Sequence, residues 1–174
     1  DTNIIAGSGT GYGVLVLTYW LKVFGVSLYS GYVLMYLVGV LNLIVIFFLA
    51  KLWWRSDVAA WLSMLALAIT GRFLTMFYVR MDALGILSYS ILLLIHIYAL
   101  RSNKMYLHFF VGILSILTTE FHILGTLYVL GLAIYYLYLY IQDVRETKQF
   151  CTVIASVYLY AGAGIAGIVC LIIH

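Results

Sequence analysis

The chain has 174 residues, of which 66% are hydrophobic and 9% charged, with a net charge of +3 and a mean hydropathy of +1.14. Soluble domains carry about a quarter charged residues. A soluble globular domain, a disordered segment and a nucleic-acid binder built on a basic patch are therefore excluded, and the expectation is an all-α polytopic bundle of transmembrane helices.

In chain order, residues 1–13 are polar and glycine-rich and read as a loop. Gly7, Gly9, Gly11 and Gly13 follow no strand and precede no GK[ST] run, so they are not a nucleotide-binding fingerprint. Val14–Phe24 is apolar apart from Lys22 and is bounded by Gly25; it is too short to span and predicts an interfacial or re-entrant helix. Residues 1–28 thus form an outer loop and interfacial helix, and 29–173 carry six spans in a single transmembrane domain. Tyr29–Ala50 is 22 residues without a charge. Lys51–Asp57 (KLWWRSD) reads as a charged turn with a Trp pair at the interface. Val58–Tyr78 is the second span, interrupted by Arg72, and Ala83–Leu100 the third, holding His96.

Arg101–Lys104 is the next turn. Met105–Ile141 is 37 residues, roughly twice one span, and splits at Thr118-Thr119-Glu120 into spans 105–118 and 121–141. Gln142–Lys148 is a charged turn, and Phe150–Ile173 the last span. Cys151 and Cys170 both fall in that last span, about 28 Å apart along a helix, too far for a disulfide. Proline is absent. The chain begins at Asp1 and ends at His174 directly after an apolar run, with no targeting peptide, and we expect a piece of a longer protein.

The turns at 51–57, 101–104 and 142–148 share one side. They hold Lys51, Arg55, Arg101, Lys104, Arg145 and Lys148, six of the nine basic residues, which makes that side cytoplasmic. Trp53, Trp54, Trp61, Tyr138 and Tyr140 cluster near it as an aromatic belt. The opposite side collects Asp1, Arg72, Arg80, Asp82, Glu120, His122 and His174. Charges within apolar sequence are costly and normally face a cavity or partner. A cation, carboxylates and an imidazole opening to one compartment can bind an anionic headgroup and handle a proton. The plainer alternatives are an interfacial ion pair for Arg80 and Asp82 and a short wet loop at Glu120. A metal held by His122, Glu120 and His174 lacks dedicated ligand spacing, and no cofactor is expected. No Ser-His-Asp or Cys-His arrangement can be argued. His96 reads as an interhelical hydrogen-bond partner, His108 as a residue near the cytoplasmic interface, and Tyr135, Tyr136, Tyr138 and Tyr140 as belt and packing. Gly162, Gly164 and Gly167 read as a close helix contact.

The order of these segments resembles the polytopic GT-C glycosyltransferases, the protein-O-mannosyltransferase and aminoarabinose-transferase-like group. Gly11–Ser27 (GYGVLVLTYWLKVFGVS) resembles their segment before a long span, and Tyr29–Ala50 followed by Lys51 resembles that span and its basic turn. Phe77–Leu84 (FYVRMDAL) resembles their Arg-and-Asp segment at the start of a later span, and Gly112–Leu124 (GILSILTTEFHIL) their double-helix step. Thr10-Gly11-Tyr12 stands where the family carries His-Pro or Pro-Pro, and Glu120 or His122 near its Lys. The resemblance covers roughly residues 11–141. It implies transfer of a sugar from a polyprenyl-phosphate donor on the non-cytoplasmic face, with Arg80 and Arg72 binding the donor phosphate and Asp82, Glu120 and His122 as the catalytic candidates. The implied partners are the lipid bilayer, the polyprenyl-phosphate sugar and other membrane subunits, with no nucleic acid. The competing expectations are a non-catalytic subunit of a larger membrane complex and a transporter fragment, for which inverted repeats and broken helices are the signature.

Overall fold

The computed structural model describes residues 11–70, 82–102, 104–121, 124–146 and 151–173. Among them are seven helices and no strand: α1 (Gly11–Phe24), α2 (Leu28–Trp54), α3 (Asp57–Ala68), α4 (Asp82–Arg101), α5 (Met105–Phe121), α6 (Leu124–Glu146) and α7 (Cys151–Ile173). The all-α expectation holds. Two of these, α2 and Ala83–Arg101 of α4, are long and apolar enough to cross a bilayer by length and composition.

The boundaries follow local chemistry more than hydropathy. Gly25, at φ +93, ends α1 with a left-handed residue, a conformation glycine adopts without a Cβ penalty. Ser27 then caps α2, its hydroxyl accepting from the Ser30 amide at 3.0 Å, which satisfies one of the four orphan donors of a helix start. Trp20 ties the two helices together by donating from Nε1 to the Ser30 carbonyl at 2.8 Å.

The charged turn expected over Lys51–Asp57 is shorter than its charges. Helix α2 runs on through Lys51, Trp53 and Trp54, and only Arg55 and Ser56 break it. Arg55 is left-handed (φ 53, ψ 34), and its amide donates to the Lys51 carbonyl at 2.9 Å. Ser56 caps α3 through the Ala59 amide at 3.3 Å. Across the turn Lys51 and Asp57 pair at 2.7 Å, both well exposed, so the pair contributes little. Arg101, at the end of α4, donates from its guanidinium to the Leu52 and Trp53 carbonyls. Three of the last four carbonyls of α2 therefore have partners, and a cation meets the negative end of the helix dipole. Arg101→Gln is expected to lower stability by about 1 kcal/mol, which is about 2–4 °C in Tm for a chain of this size. Amide exchange should speed up selectively in the last turn of α2.

The second expected span, Val58–Tyr78, is corrected. Helix α3 stops at Ala68 after 12 residues, about 18 Å long. The Thr70 hydroxyl and amide both bond to the Leu67 carbonyl, at 2.7 Å and 3.1 Å, and a side chain that takes a helix carbonyl this way competes with helix continuation. Residues 71–81 lie outside the described residues. Helix α5 continues through Thr118, Thr119 and Glu120 to Phe121, so the expected break at 118–120 is not there, and α6 begins at Leu124. Helix α6 also absorbs most of the expected Gln142–Lys148 turn, running to Glu146. Cys151 and Cys170 lie on one continuous helix, α7.

Two buried clusters organise the bundle. The first joins α2 to the start of α4 through Leu34, Met35, Val38, Ala83 and Leu84, with Leu17 and Trp20 of α1 against it. The second gathers α4, α5, α6 and α7 around Leu92, Val111, Leu132 and Leu159. Contact of Ala83 with the middle of α2, and of Arg101 with its end, makes α2 and α4 parallel. The short 102–104 turn makes α5 antiparallel to α4.

The tightest packing is between α5 and α7. A Cβ added at Gly112 would meet the Leu159 carbonyl oxygen and lie 2.8 Å from the Ala163 amide nitrogen. A Cβ at Gly162 would meet the Phe109 carbonyl and lie 3.2 Å from the Ile113 nitrogen. The two helices thus approach backbone to backbone, each through its own glycine. Gly162 fulfils the expectation of close contact, whereas Gly164 and Gly167 face open space.

Candidate functional site

The most developed polar arrangement sits between α4, α5 and α6. His96, His108 and Tyr136 are each buried. The Tyr136 hydroxyl lies 2.5 Å from His108 Nδ1 and 3.3 Å from His96 Nδ1. The rings are packed as well as bonded: His108 meets Tyr136 edge-on at 5.7 Å, and His96 meets Tyr135 edge-on at 5.8 Å. His96 also borders a cavity of about 440 Å³ between α4 and α6, whose walls include Trp53, Leu93, Tyr128 and Leu132.

Helix geometry explains the meeting. His108, Val111, Ser115 and Thr118 form the buried stripe of α5, at the three-to-four spacing of a helix face. Leu132 and Tyr136 do the same on α6. A phenol has one proton to give and lone pairs to accept. With neutral imidazoles, Tyr136 donates to one Nδ1 and accepts from the other, so the two rings carry different tautomers. Chemically the arrangement can fix three helices in register and hold a proton on a hydroxyl shared by two imidazoles. Both rings spend Nδ1 on the hydroxyl, and among the described residues no group of three or more His, Cys, Asp or Glu comes together to hold a metal.

A second buried polar residue, Asn42, is completely enclosed. Its amide donates to the Val38 carbonyl at 3.1 Å and reaches the Ala83 carbonyl at 3.5 Å, tying α2 to the first turn of α4. Among the described residues, its Oδ1 and, near the start of the same helix, the Ser30 hydroxyl have no hydrogen-bond partner.

Of the expected site residues, Arg72, Arg80 and His122 lie outside the described residues, as does His174. Asp82 is the first residue of α4 and Glu120 the penultimate residue of α5. Because these helices are antiparallel, the backbone brings Asp82 and Glu120 to the same end of the bundle; their side chains are outside the described set. At the opposite end are Lys51, Arg55, Arg101 and Lys104. His96 is an interhelical hydrogen-bond partner, as its lone position in an apolar span implied. Tyr136 and Asn42 were missed: Tyr136 reads as one of a tyrosine run, and a single Asn in an apolar segment carries no motif. Spacing could have found Tyr136, which falls four residues from Leu132 on the inward face of α6. No protein-family model, curated protein or solved structure matches this chain.

Proposed function

We propose that the chain is a multi-pass membrane helix bundle of about six spans, with the 55–56 and 102–104 turns on the cytoplasmic side. The observation that carries this reading is a helix apolar on both its faces, with its polar side chains turned inward. On α2, Tyr36, Leu37, Val40, Leu41, Ile44 and Phe48 are exposed, while its polar Ser30 and Asn42 are buried together with Leu34, Met35 and Val38. An apolar outer face with the few polar groups kept inside is the arrangement of a helix that faces lipid and reserves its polar groups for neighbours. In water such a continuous exposed apolar surface is a liability. The hydroxyls support the same reading: Ser88, Ser90, Ser115 and Thr119 each donate to a carbonyl one turn back, at 2.7–2.9 Å, which satisfies these four donors without water. Helices α6 and α7 have 23 residues each, about 34 Å, against a hydrocarbon core of about 30 Å.

On this scaffold we read the activity implied by the resemblance, glycosyl transfer from a polyprenyl-phosphate donor at the non-cytoplasmic end. The meeting of the α4 start and the α5 end supports it, since Asp82 and Glu120 share that end. A cation there would stabilise the leaving phosphate, and a carboxylate would orient or deprotonate the acceptor. A packing-subunit reading is favoured by Ala161 and Gly164 on an exposed face of α7, small residues of the kind that let another helix approach.

Single cysteines test the topology in a Cys151→Ser, Cys170→Ser background. Ser56→Cys and Lys104→Cys should react with a membrane-impermeant maleimide from one side of a reconstituted bilayer, and Val26→Cys from the other. Reaction of all three from the same side would end the multi-pass reading. For the activity, the reconstituted chain should bind a polyprenyl-phosphate-linked hexose, and Arg80→Ala should lose that binding; unchanged binding would leave the packing-subunit reading.

A further inference from the structure

Helices α2, α4 and α5 leave a groove of about 760 Å³ at the end that holds the 55–56 and 102–104 turns, within the ordinary range for ligand pockets. Its walls are apolar, with Phe48 from α2, Leu94 and Ile95 from α4, and Phe110 and Leu114 from α5. Only one end is charged, where Lys51, Arg55 and Arg101 line it. From Arg101 to Leu94, and from Leu107 to Leu114, the groove follows seven residues of helix, about 10 Å. Phe48, Tyr98 and Phe110 are each about half exposed, so the groove opens on the surroundings of the bundle.

The charges at the mouth do not cancel. Lys51 meets Asp57 at 2.7 Å, and the Arg101 guanidinium donates to two carbonyls that carry no formal charge. Among the described side chains, three cations stand against one carboxylate there. Trp53 and Trp54 flank the same turn and are exposed, as aromatic residues at headgroup depth are. A free phosphate would use the cations and leave the apolar trough unexplained. A neutral lipid would use the trough and leave the cations unexplained. Cations at headgroup depth that open onto an apolar channel match one chemistry, an anionic phosphate head with a hydrocarbon tail.

We propose that this groove binds an anionic glycerophospholipid of the leaflet bordering the 55–56 and 102–104 turns. Its phosphate lies against Lys51 and Arg55, with Arg101 behind them, and one acyl chain runs between Phe48 and Leu114. The proposal rests on the membrane reading above and is independent of the sugar-donor reading, which concerns the opposite end.

The test uses the bundle in phosphatidylcholine nanodiscs doped with phosphatidylglycerol or phosphatidylcholine whose acyl chains are brominated, and follows quenching of tryptophan fluorescence. The anionic lipid should reach half-quenching at a mole fraction at least about five-fold lower than the zwitterionic one. Lys51→Gln and Arg55→Gln, both at exposed positions, should together reduce that preference below about two-fold. Lys104→Gln removes one positive charge from the neighbouring turn without touching the groove, and should leave the preference intact. Equal quenching by the two lipids, equal loss in Lys104→Gln, or relief of quenching by millimolar inorganic phosphate would overturn the site while leaving the membrane reading standing. Failure to enter nanodiscs at all would overturn both.

Discussion

Gly112→Leu is expected to force α5 and α7 apart, with a loss of about 3 kcal/mol. Two effects oppose each other at this position. Replacing a mid-helix glycine gains about 1 kcal/mol of helix propensity. Against that, the new Cβ meets the Leu159 carbonyl oxygen and the Ala163 nitrogen. These are backbone atoms of a regular helix and cannot swing aside as a side-chain end would. The clash therefore outweighs the propensity gain, and the same holds for Gly162→Leu against Phe109 and Ile113. In a bilayer the loss is hard to recover elsewhere, because lipid tails are as apolar as the side chains and helix association depends on close packing and hydrogen bonds. Gly164→Leu and Gly131→Leu are the controls. Nothing lies within 4 Å of a Cβ at either position, so only the propensity term acts and stability should hold or rise slightly. Thermal unfolding in detergent, together with a spin-label distance between α5 and α7, would read the difference. Equal effects at all four glycines would remove the close-approach account.

Tyr136→Phe is expected to cost about 1–2 kcal/mol, and Tyr136→Ala about 3–5 kcal/mol. The first change deletes one oxygen and strands two imidazole nitrogens inside the bundle. The second also empties the space of a fully buried ring that touches His96, His108 and Tyr135. A signature separates loss of the network from loss of packing. With Tyr136 present, nitrogen NMR should show one histidine protonated at Nδ1 and the other at Nε2; in Tyr136→Phe that asymmetry should disappear. A Phe variant of unchanged stability and unchanged histidine shifts would mean that the hydroxyl bonds neither ring.

Much of the architecture was legible because polar turns between apolar runs are strong signals. The end of α1 at Gly25, the break at 55–56 and the reversal after Arg101 fall within the polar stretches that bound the apolar runs. The misread boundaries share a cause. Backbone hydrogen bonding is indifferent to polarity, so α2 continues through Lys51 and α6 through Arg145 to Glu146. Hydropathy also cannot see the Thr70 hydroxyl that closes α3 beside an apolar Ile69. Gly162, Gly164 and Gly167 look alike in sequence, and only the rotation of α7 against α5 selects Gly162. The partner glycine, Gly112, is invisible until α5 and α7 are neighbours. The same holds for Tyr136, which differs from Tyr135 and Tyr138 only in the direction it faces. The shared end of Asp82 and Glu120 was legible, because it needs only a reversal at 102–104.

Arg55 is the only residue other than glycine with a positive φ among the described residues, at a helix exit where glycine is the usual occupant. A side chain that carries a β-carbon is the costlier way to build that corner. A turn selected only for ease of folding would carry glycine there. Folding ease and local charge therefore pull in opposite directions at this one corner, and the chain has settled in favour of the guanidinium.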